Sequence, residues 1–181
     1  SIQDLKTLYE QRVPRMFFDY AESGSWTEQT FRDNEQKLQA LTFKQRVLVD
    51  ISRRELGSSM LGQPVSMPVA LSPVGLTGFQ CGDGEIKAAR AAAQFGVPYT
   101  LSTMSICSIE DVASATDQPF WFQLYVMKDR GFVKALIERA KAARCSALVL
   151  TADLQILGQR HKDIKNGLST PPKPTIRNLL S

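Results

Sequence analysis

Met67-Pro-Val-Ala-Leu-Ser72, Tyr99-Thr-Leu-Ser102, Phe120-Trp-Phe-Gln-Leu-Tyr125 and Ala147-Leu-Val-Leu-Thr151 are four short apolar runs, and what lies between them decides the fold. Each run is too short for a helix and stops at a turn residue or a change of pattern, so each reads as a buried strand. Between the first and second, residues 84–95 are alanine-rich at helical spacing and Gly96 ends them. Between the second and third, Ser108-x-x-Asp111 is a capping pattern that opens a helix running to about Thr116. Residues 129–143 supply a further helix before the fourth run. Strands alternating with helices at short intervals signal parallel βαβ units and an α/β protein. The order fits half of an eight-stranded (β/α) barrel or a small doubly wound sheet.

Upstream of these runs the chain reads as a helical segment rich in aromatics. Leu5, Leu8 and Tyr9 recur at helical spacing, and Pro14 can open a second helix through Met16-Phe-Phe-Asp-Tyr20. Ser23-Gly-Ser25 breaks the pattern. Thr27 is then the expected cap of a helix carrying Phe31, Leu38 and Leu41, with Glu28 in its first turn. Gly57 and the Gly62-Gln63-Pro64 turn close the segment. Downstream, residues 155–181 are polar and hold Pro171, Pro172 and Pro174, which predicts a long loop. The expected organisation is one incomplete domain, with a helical segment over 1–60 and the first half of a barrel over 61–181.

Composition narrows the function classes. The 181 residues include 22 Lys+Arg and 18 Asp+Glu, a formal charge of +4, and 43% are hydrophobic, which excludes a disordered chain and fits one packed domain. No apolar run approaches the roughly 18 residues of a spanning helix. The opening Ser1-Ile2-Gln3-Asp4-Leu5 has no basic stretch before an apolar core, so the sequence predicts a soluble, cytoplasmic protein. A first residue other than Met points to trimming or a partial sequence. The pI near 9.0 comes from dispersed charge, densest at Arg160-His161-Lys162 with Lys165, Lys173 and Arg177. No aromatic residues interleave with a basic tract, so nucleic acid is not an expected partner. Peripheral attraction to an anionic membrane face or to anionic substrates is compatible with this charge. A solvated face is its default reading.

Most motif candidates fall away. Cys81, Cys107 and Cys145 form no Cys-x-x-Cys pair and His161 is the only histidine, so no metal site is expected. Small buried hydrophobes are the expected role of all three cysteines. Gly82-Asp83-Gly84 lacks the third glycine of a dinucleotide fingerprint, Lys87 standing there, and reads as the turn before a helix. Asp153 and Asp163 read as solvated loop charges. One pattern survives. Ser72-Pro73-Val74-Gly75, Ser102-Thr103, Gln123 with Tyr125, and Thr151 with Asp153 place polar or special residues at the carboxyl end of every expected strand. In a (β/α) barrel that end collects ligand-binding groups, although Ser and Thr also terminate strands for local reasons.

At these residues the chain resembles a known family. The stretches are Phe18-Asp-Tyr-Ala-Glu-Ser-Gly24, Ser66-Met-Pro-Val-Ala-Leu-Ser-Pro-Val-Gly75, Leu101-Ser-Thr103, Trp121-Phe-Gln-Leu-Tyr125, Leu150-Thr-Ala-Asp153, Leu157-Gly-Gln-Arg160 and Lys162-Asp-Ile-Lys-Asn166. Together, and in order, they resemble the FMN-dependent 2-hydroxy acid dehydrogenases and oxidases, which include glycolate oxidase, L-lactate dehydrogenase and mandelate dehydrogenase. The wording Ser108-Ile-Glu-Asp-Val-Ala113 and Gln159-Arg-His-Lys-Asp163 is nearest the bacterial L-lactate dehydrogenase branch. The resemblance implies a (β/α)8 TIM barrel, of which this chain supplies the helical segment and the first four strands.

It also implies roles. FMN is the cofactor, with the backbone of Pro73, Val74 and Gly75 against the ring, and Ser102, Gln123 and Thr151 hydrogen-bonding its polar edge. Tyr20 and Tyr125 face the substrate carboxylate and the reacting oxygen, where packing alone is the commoner fate of a tyrosine. Asp153 orients a catalytic histidine, and Arg160 stands near developing charge. Met104 replaces the bulky aromatic of glycolate oxidase-like members and gives the substrate side a different shape. The substrate implied is a small L-2-hydroxy acid, L-lactate foremost, oxidised to the 2-keto acid in a homo-oligomer. The electron acceptor stays open among oxygen, quinone and cytochrome.

The chain departs from the family in length. The histidine base, a second substrate arginine, a lysine near the flavin and the phosphate-binding segment belong to a C-terminal half that these residues do not include. His161 sits beside Arg160 in another motif and is not that base. The chain alone is therefore expected to be inactive. The rival readings are an inactive or self-associating half-barrel and, more weakly, a doubly wound nucleotide-binding module.

Overall fold

The runs that decide the fold form strands of unequal quality. In the computed structural model, which describes residues 1–168 with Lys173 and Thr175, the chain divides into two compact units, Ser1–Ile51 with Ile156–Ser181, and Ser52–Gln155. Pro171, Pro172, Pro174 and Arg177, used in the sequence reading, lie outside the described residues.

The second unit opens with an antiparallel hairpin of β1 (Ser58–Met60) and β2 (Gln63–Val65). The sequence reading took this stretch as a turn only. Leu61 and Gly62 both have positive φ (49° and 77°), the geometry that matches the twist of a two-residue hairpin, and Pro64 is tolerated because the hairpin has only two strands. There follow α4 (Thr77–Gln80), α5 (Gly84–Phe95), β3 (Thr100–Leu101), α6 (Ile109–Ala115), β4 (Trp121–Leu124), α7 (Arg130–Ala142) and β5 (Ala147–Leu150). Strands β3, β4 and β5 form a parallel sheet in that order, with Trp121 opposite Thr100 on one side and Ala147 on the other.

The first expected strand is the exception. Of residues 67–72 only Leu71 joins the sheet, by a parallel bridge to Tyr99. Leu71 donates to the Pro98 carbonyl (2.8 Å) and accepts from the Thr100 amide (3.1 Å). Pro68 and Pro73 offer no amide hydrogen to a ladder, and the Val69 amide is spent on the Met67 carbonyl (2.8 Å). The segment is extended, but its ladder is one residue long.

Alternation along the strands sorts the side chains. Tyr99, Leu101, Phe120, Phe122 and Leu124 face Ala89 and Ala92 of α5, Ile109 and Val112 of α6, and Val133, Leu136 and Ala140 of α7 in one core. Trp121 and Gln123 point to the opposite face, and all four residues of β4 are buried, as in a parallel strand covered on both sides. The helices stop where their caps require. Ser108 and Asp111 complete a capping box on α6, and the Asp129 carboxylate accepts from the Phe132 amide (3.0 Å) at the start of α7. The Arg139 guanidinium forks onto Glu110 (2.8 and 2.6 Å), tying α7 to α6 and holding the Glu110 carboxyl down to about 2.

In the first unit, α1 (Ile2–Arg12), α2 (Arg15–Ala21), α3 (Gln29–Gln39) and α8 (His161–Lys165) are the helices. Tyr9 stacks on Phe18 at 5.1 Å and donates to the Phe17 carbonyl, and burial pushes its hydroxyl up to about 12. Two sequence expectations fail here. Thr27 does not cap α3: Glu28 holds the cap position with φ 59°, its carboxylate accepts from the Gly24 amide (3.2 Å), and Leu41 lies beyond the helix end. Residues 155–168 are not all loop, because Arg160 and Asp163 pair across the first turn of α8.

Glu85 ties two loops of the second unit together. Fully buried, it accepts from the amides of Gly78 and Ile106, both at 3.0 Å. A Cβ on Gly78 would lie 2.6 Å from the Ile106 Cβ, so only glycine lets the loops approach so closely. Burial pushes the Glu85 carboxyl up, but the Ile106 and Gly78 amides and the Cys107 thiol outweigh it and hold the group below its ordinary value. Its stabilisation is therefore complete above the unfolded pKa and is lost as pH falls through the folded one. Glu85→Ala strands both amides and should cost on the order of 2 kcal/mol or more in urea unfolding. Glu85→Gln should flatten the loss of stability on acidification, checked by unfolding midpoints across the acid range.

The cysteines also differ from expectation. Cys107 is buried and Cys145 half-buried, each pushed up to about 11 chiefly by burial, but Cys81 is exposed, with the Lys87 ammonium 3.3 Å from its sulfur. Iodoacetamide near neutral pH should therefore label Cys81 first, read by peptide mass spectrometry.

Candidate functional site

Three polar side chains that the sequence placed at separate strand ends meet on one face of the sheet. Continued past the strand ends, the parallel register sets Ser102 opposite Gln123 and Thr151 two residues beyond Gln123's partner Val149, so alternation puts all three on the side away from the helices. Gln123 is the hub. Its Oε1 accepts from the Thr103 amide (3.1 Å) and, at 3.4 Å, from the Ser102 hydroxyl, while its Nε2 donates to Thr151 Oγ1 (2.8 Å). Ser102 Oγ accepts in turn from the Met104 amide (3.0 Å).

Neighbouring loops are tied to this line. Leu76, directly after Pro73-Val74-Gly75, donates its amide to the Met104 carbonyl (2.9 Å), and Thr77 donates its hydroxyl to the Val74 carbonyl (3.1 Å). Pro73 and Gly75 are half-buried and Val74 is exposed. The half-buried Tyr125 is held through its backbone, its amide donating to Thr103 Oγ1 (3.2 Å), while that hydroxyl donates to the Gln123 carbonyl. Thr103, named with Ser102 at its strand end, receives no role in the site from sequence reading. Its signal was its place beside Ser102 at a strand end. Asp153 stands exposed two residues beyond Thr151 and makes no hydrogen bond to these groups.

Tyr20 and Arg160 belong to the first unit and meet there. The Arg160 guanidinium lies over the Tyr20 ring, 5.3 Å from its centroid, and Nη2 donates to the Tyr20 carbonyl and to Ser23 Oγ (3.2 Å). Nε donates to Asp163 Oδ2 at 2.5 Å. Arg160 is thus not a solvated cation, nor Asp163 a solvated loop charge, since Asp163 is only 8% exposed. An aspartate three residues after an arginine at a helix start was the available signal.

The profile of the family described as FMN-dependent dehydrogenase matches residues 9–181. The chain belongs to this family. Among curated FMN-dependent dehydrogenase relatives, L-lactate dehydrogenase of Ectopseudomonas mendocina is 48% identical over 176 residues, 97% of this chain and 46% of the relative. Among solved structures, an active chimera of (S)-mandelate dehydrogenase superposes with a TM-score of 0.89 at 38% identity, over 98% of this chain and 50% of that one. The monotopic membrane protein (S)-mandelate dehydrogenase gives 0.90 at 36% identity, over 99% and 48%. The structural neighbours are (β/α)8 barrel enzymes, so β3, β4 and β5 with the Leu71 segment are consecutive barrel strands. The chain spans about half the length of the relatives it matches.

FMN is the cofactor of this family. The donor set here fits a flavin. After their mutual bonds, Thr151 keeps its hydroxyl hydrogen and Gln123 one amide hydrogen without an acceptor among the described residues. The pyrimidine edge of a flavin is a row of carbonyl and imide groups that takes such donors.

Gln123→Leu, of similar volume, leaves the Thr103 amide unpaired and should cost about 2 kcal/mol in urea unfolding. An unchanged midpoint would show that the line contributes nothing to the fold.

Proposed function

We propose that the complete protein oxidises a small L-2-hydroxy acid, L-lactate foremost, to the 2-keto acid. On this reading the present chain supplies the flavin-orienting side and part of the substrate side of the site. The observation that carries the reading is the Ser102–Gln123–Thr151 line, whose remaining donors point a flat hydrogen-bonding ligand to one face of the sheet. The L-lactate dehydrogenases at 48% identity support the substrate class.

Oxidation of a 2-hydroxy acid releases two electrons and two protons. Bound FMN supplies the acceptance of the electron pair. Ser102, Gln123 and Thr151 would hold its polar edge, with Pro73, Val74 and Gly75 against the ring. Tyr20 would bind the substrate carboxylate, Tyr125 the reacting oxygen, and Arg160 the charge that develops on it, while Met104 shapes the pocket wall. Asp153 would orient a histidine that removes one of the two protons as the electron pair passes to the flavin.

That histidine and the remaining strands would come from a further half of the same barrel. The outer edge of β5 pairs with no strand among the described residues, and Leu148 and Leu150 are about half exposed (48% and 58%), which supports completion by another strand. No helix among the described residues is long and apolar enough to cross a membrane, and one of the solved relatives is a monotopic membrane protein.

The purified protein should be yellow and should contain either a chain about twice 20.1 kDa or a second polypeptide of similar size. A colourless sample holding only the 20.1 kDa chain overturns the reading. In the complete protein, Asp153→Asn should lower turnover of L-lactate by about a hundredfold with flavin content unchanged. Undiminished turnover removes the role given to Asp153.

A further inference from the structure

We infer that Asp163 is a positioning residue that occupies the Nε edge of the Arg160 guanidinium and thereby reserves Nη1 for a small anionic ligand, a carboxylate or an oxyanion. The inference rests on the proposed reading of Arg160 as a substrate-side cation and adds the group that aims it.

A guanidinium has five N–H donors in a rigid plane, so fixing one edge fixes the direction of the other. Three of the five belong to nitrogens with protein acceptors: Nε on Asp163 Oδ2 at 2.5 Å, and Nη2 on the Tyr20 carbonyl and Ser23 Oγ. The two on Nη1 have no protein acceptor among the described residues. The Tyr20 ring covers one face of the plane at 5.3 Å. The side chain nevertheless keeps 30% of its surface exposed, so a ligand can reach it.

The aspartate is built for holding. It is 8% exposed, and its second oxygen, Oδ1, is buried without a hydrogen-bond partner among the described residues. A carboxylate with one oxygen unsatisfied is costly to bury unless its charge has a close, well-oriented cation, and Arg160 is that cation. The short helix that carries it is itself anchored, since Asn166 Nδ2 donates to Asp19 Oδ2 on α2 (2.7 Å) and the Leu168 amide closes back on the Asp163 carbonyl (2.9 Å). Without Asp163 the guanidinium would keep the Tyr20 carbonyl and Ser23 Oγ as acceptors but lose the bond that sets its rotation about the side-chain axis. It would also become free to spend Nη1 on water.

The test uses the complete flavoprotein. Asp163→Asn keeps the shape and an acceptor oxygen while removing the charge, and Asp163→Ala removes both. Oxalate, a small unreactive dianion, is titrated by calorimetry and as a competitive inhibitor, alongside KM and kcat for L-lactate, flavin content and melting temperature. The expected result for Asp163→Asn is a rise of about tenfold in the oxalate Kd and the lactate KM, with kcat changed far less and flavin content unchanged. In an Arg160→Met background, the same substitution should change neither constant further. Unchanged oxalate affinity in flavin-replete Asp163→Asn overturns the inference, as does an equal loss with and without Arg160. If Asp163→Ala fails to fold, the isosteric Asn variant still decides the matter. Wild-type protein that contains no flavin and binds no oxalate would instead overturn the proposed function, and the inference with it.

Discussion

A primary amide buried in the middle of a parallel sheet has two donors and an acceptor to satisfy with whatever its neighbours offer, and Gln123 satisfies all but one amide hydrogen sideways. Its oxygen reaches the strand before it in the chain and its nitrogen the strand after it. Because the parallel register pairs Gln123 with Val149 and runs on to Ser102, those neighbours stand just past the strand ends, Ser102–Thr103 beside it and Thr151 two residues beyond Val149. The requirement that no buried polar group be left unpaired thus sets the order and spacing of the polar line. It also leaves a residue of donors facing away from the helices. The sheet is held and a ligand-facing edge is created by the same bonds.

Two buried carboxylates act on the loops around this sheet and on α2 as ties. Glu85 accepts two backbone amides from loops that adjoin Pro73-Val74-Gly75 and Ser102-Thr103-Met104, so the approach of those loops is set by one side chain on α5. Asp163 does for Arg160 in the first unit what Glu85 does for backbone in the second. In both, a charge is removed from water and tolerated because strong donors hold one carboxylate oxygen, which makes each contact specific and hard to replace by a neutral packing residue.

Much of this was legible in the chain. The helices α5, α6 and α7 and the strands β3, β4 and β5 follow from local signals that act within a few residues: Ser108-x-x-Asp111, Asp129, Gly96, and apolar runs of strand length. The Leu71 segment was overcalled because its apolar content suits a strand, whereas two prolines and a local turn remove the amides a ladder needs. The hairpin β1–β2 was overlooked because Leu61 stands where a glycine or asparagine usually signals such a turn, and only the pairing of residues 58–65 pays its strain. Asp163 was misjudged because solvation is the ordinary fate of a loop aspartate. What overrules it is the packing of α8 against α2, between residues about 140 apart in the chain.

By itself the sequence determined the βαβ order, the limits of α5, α6 and α7 and, through its ordered motifs, the FMN-dependent dehydrogenase family, because periodicity, caps and short motifs are properties of neighbours along the chain. Only the tertiary structure decided which polar residues are spent on one another and which donors remain. Whether the hydrogens of Gln123, Thr151 and Arg160 are free depends on groups brought within 3 Å or so by strand register and helix packing, and no local signal records that distance.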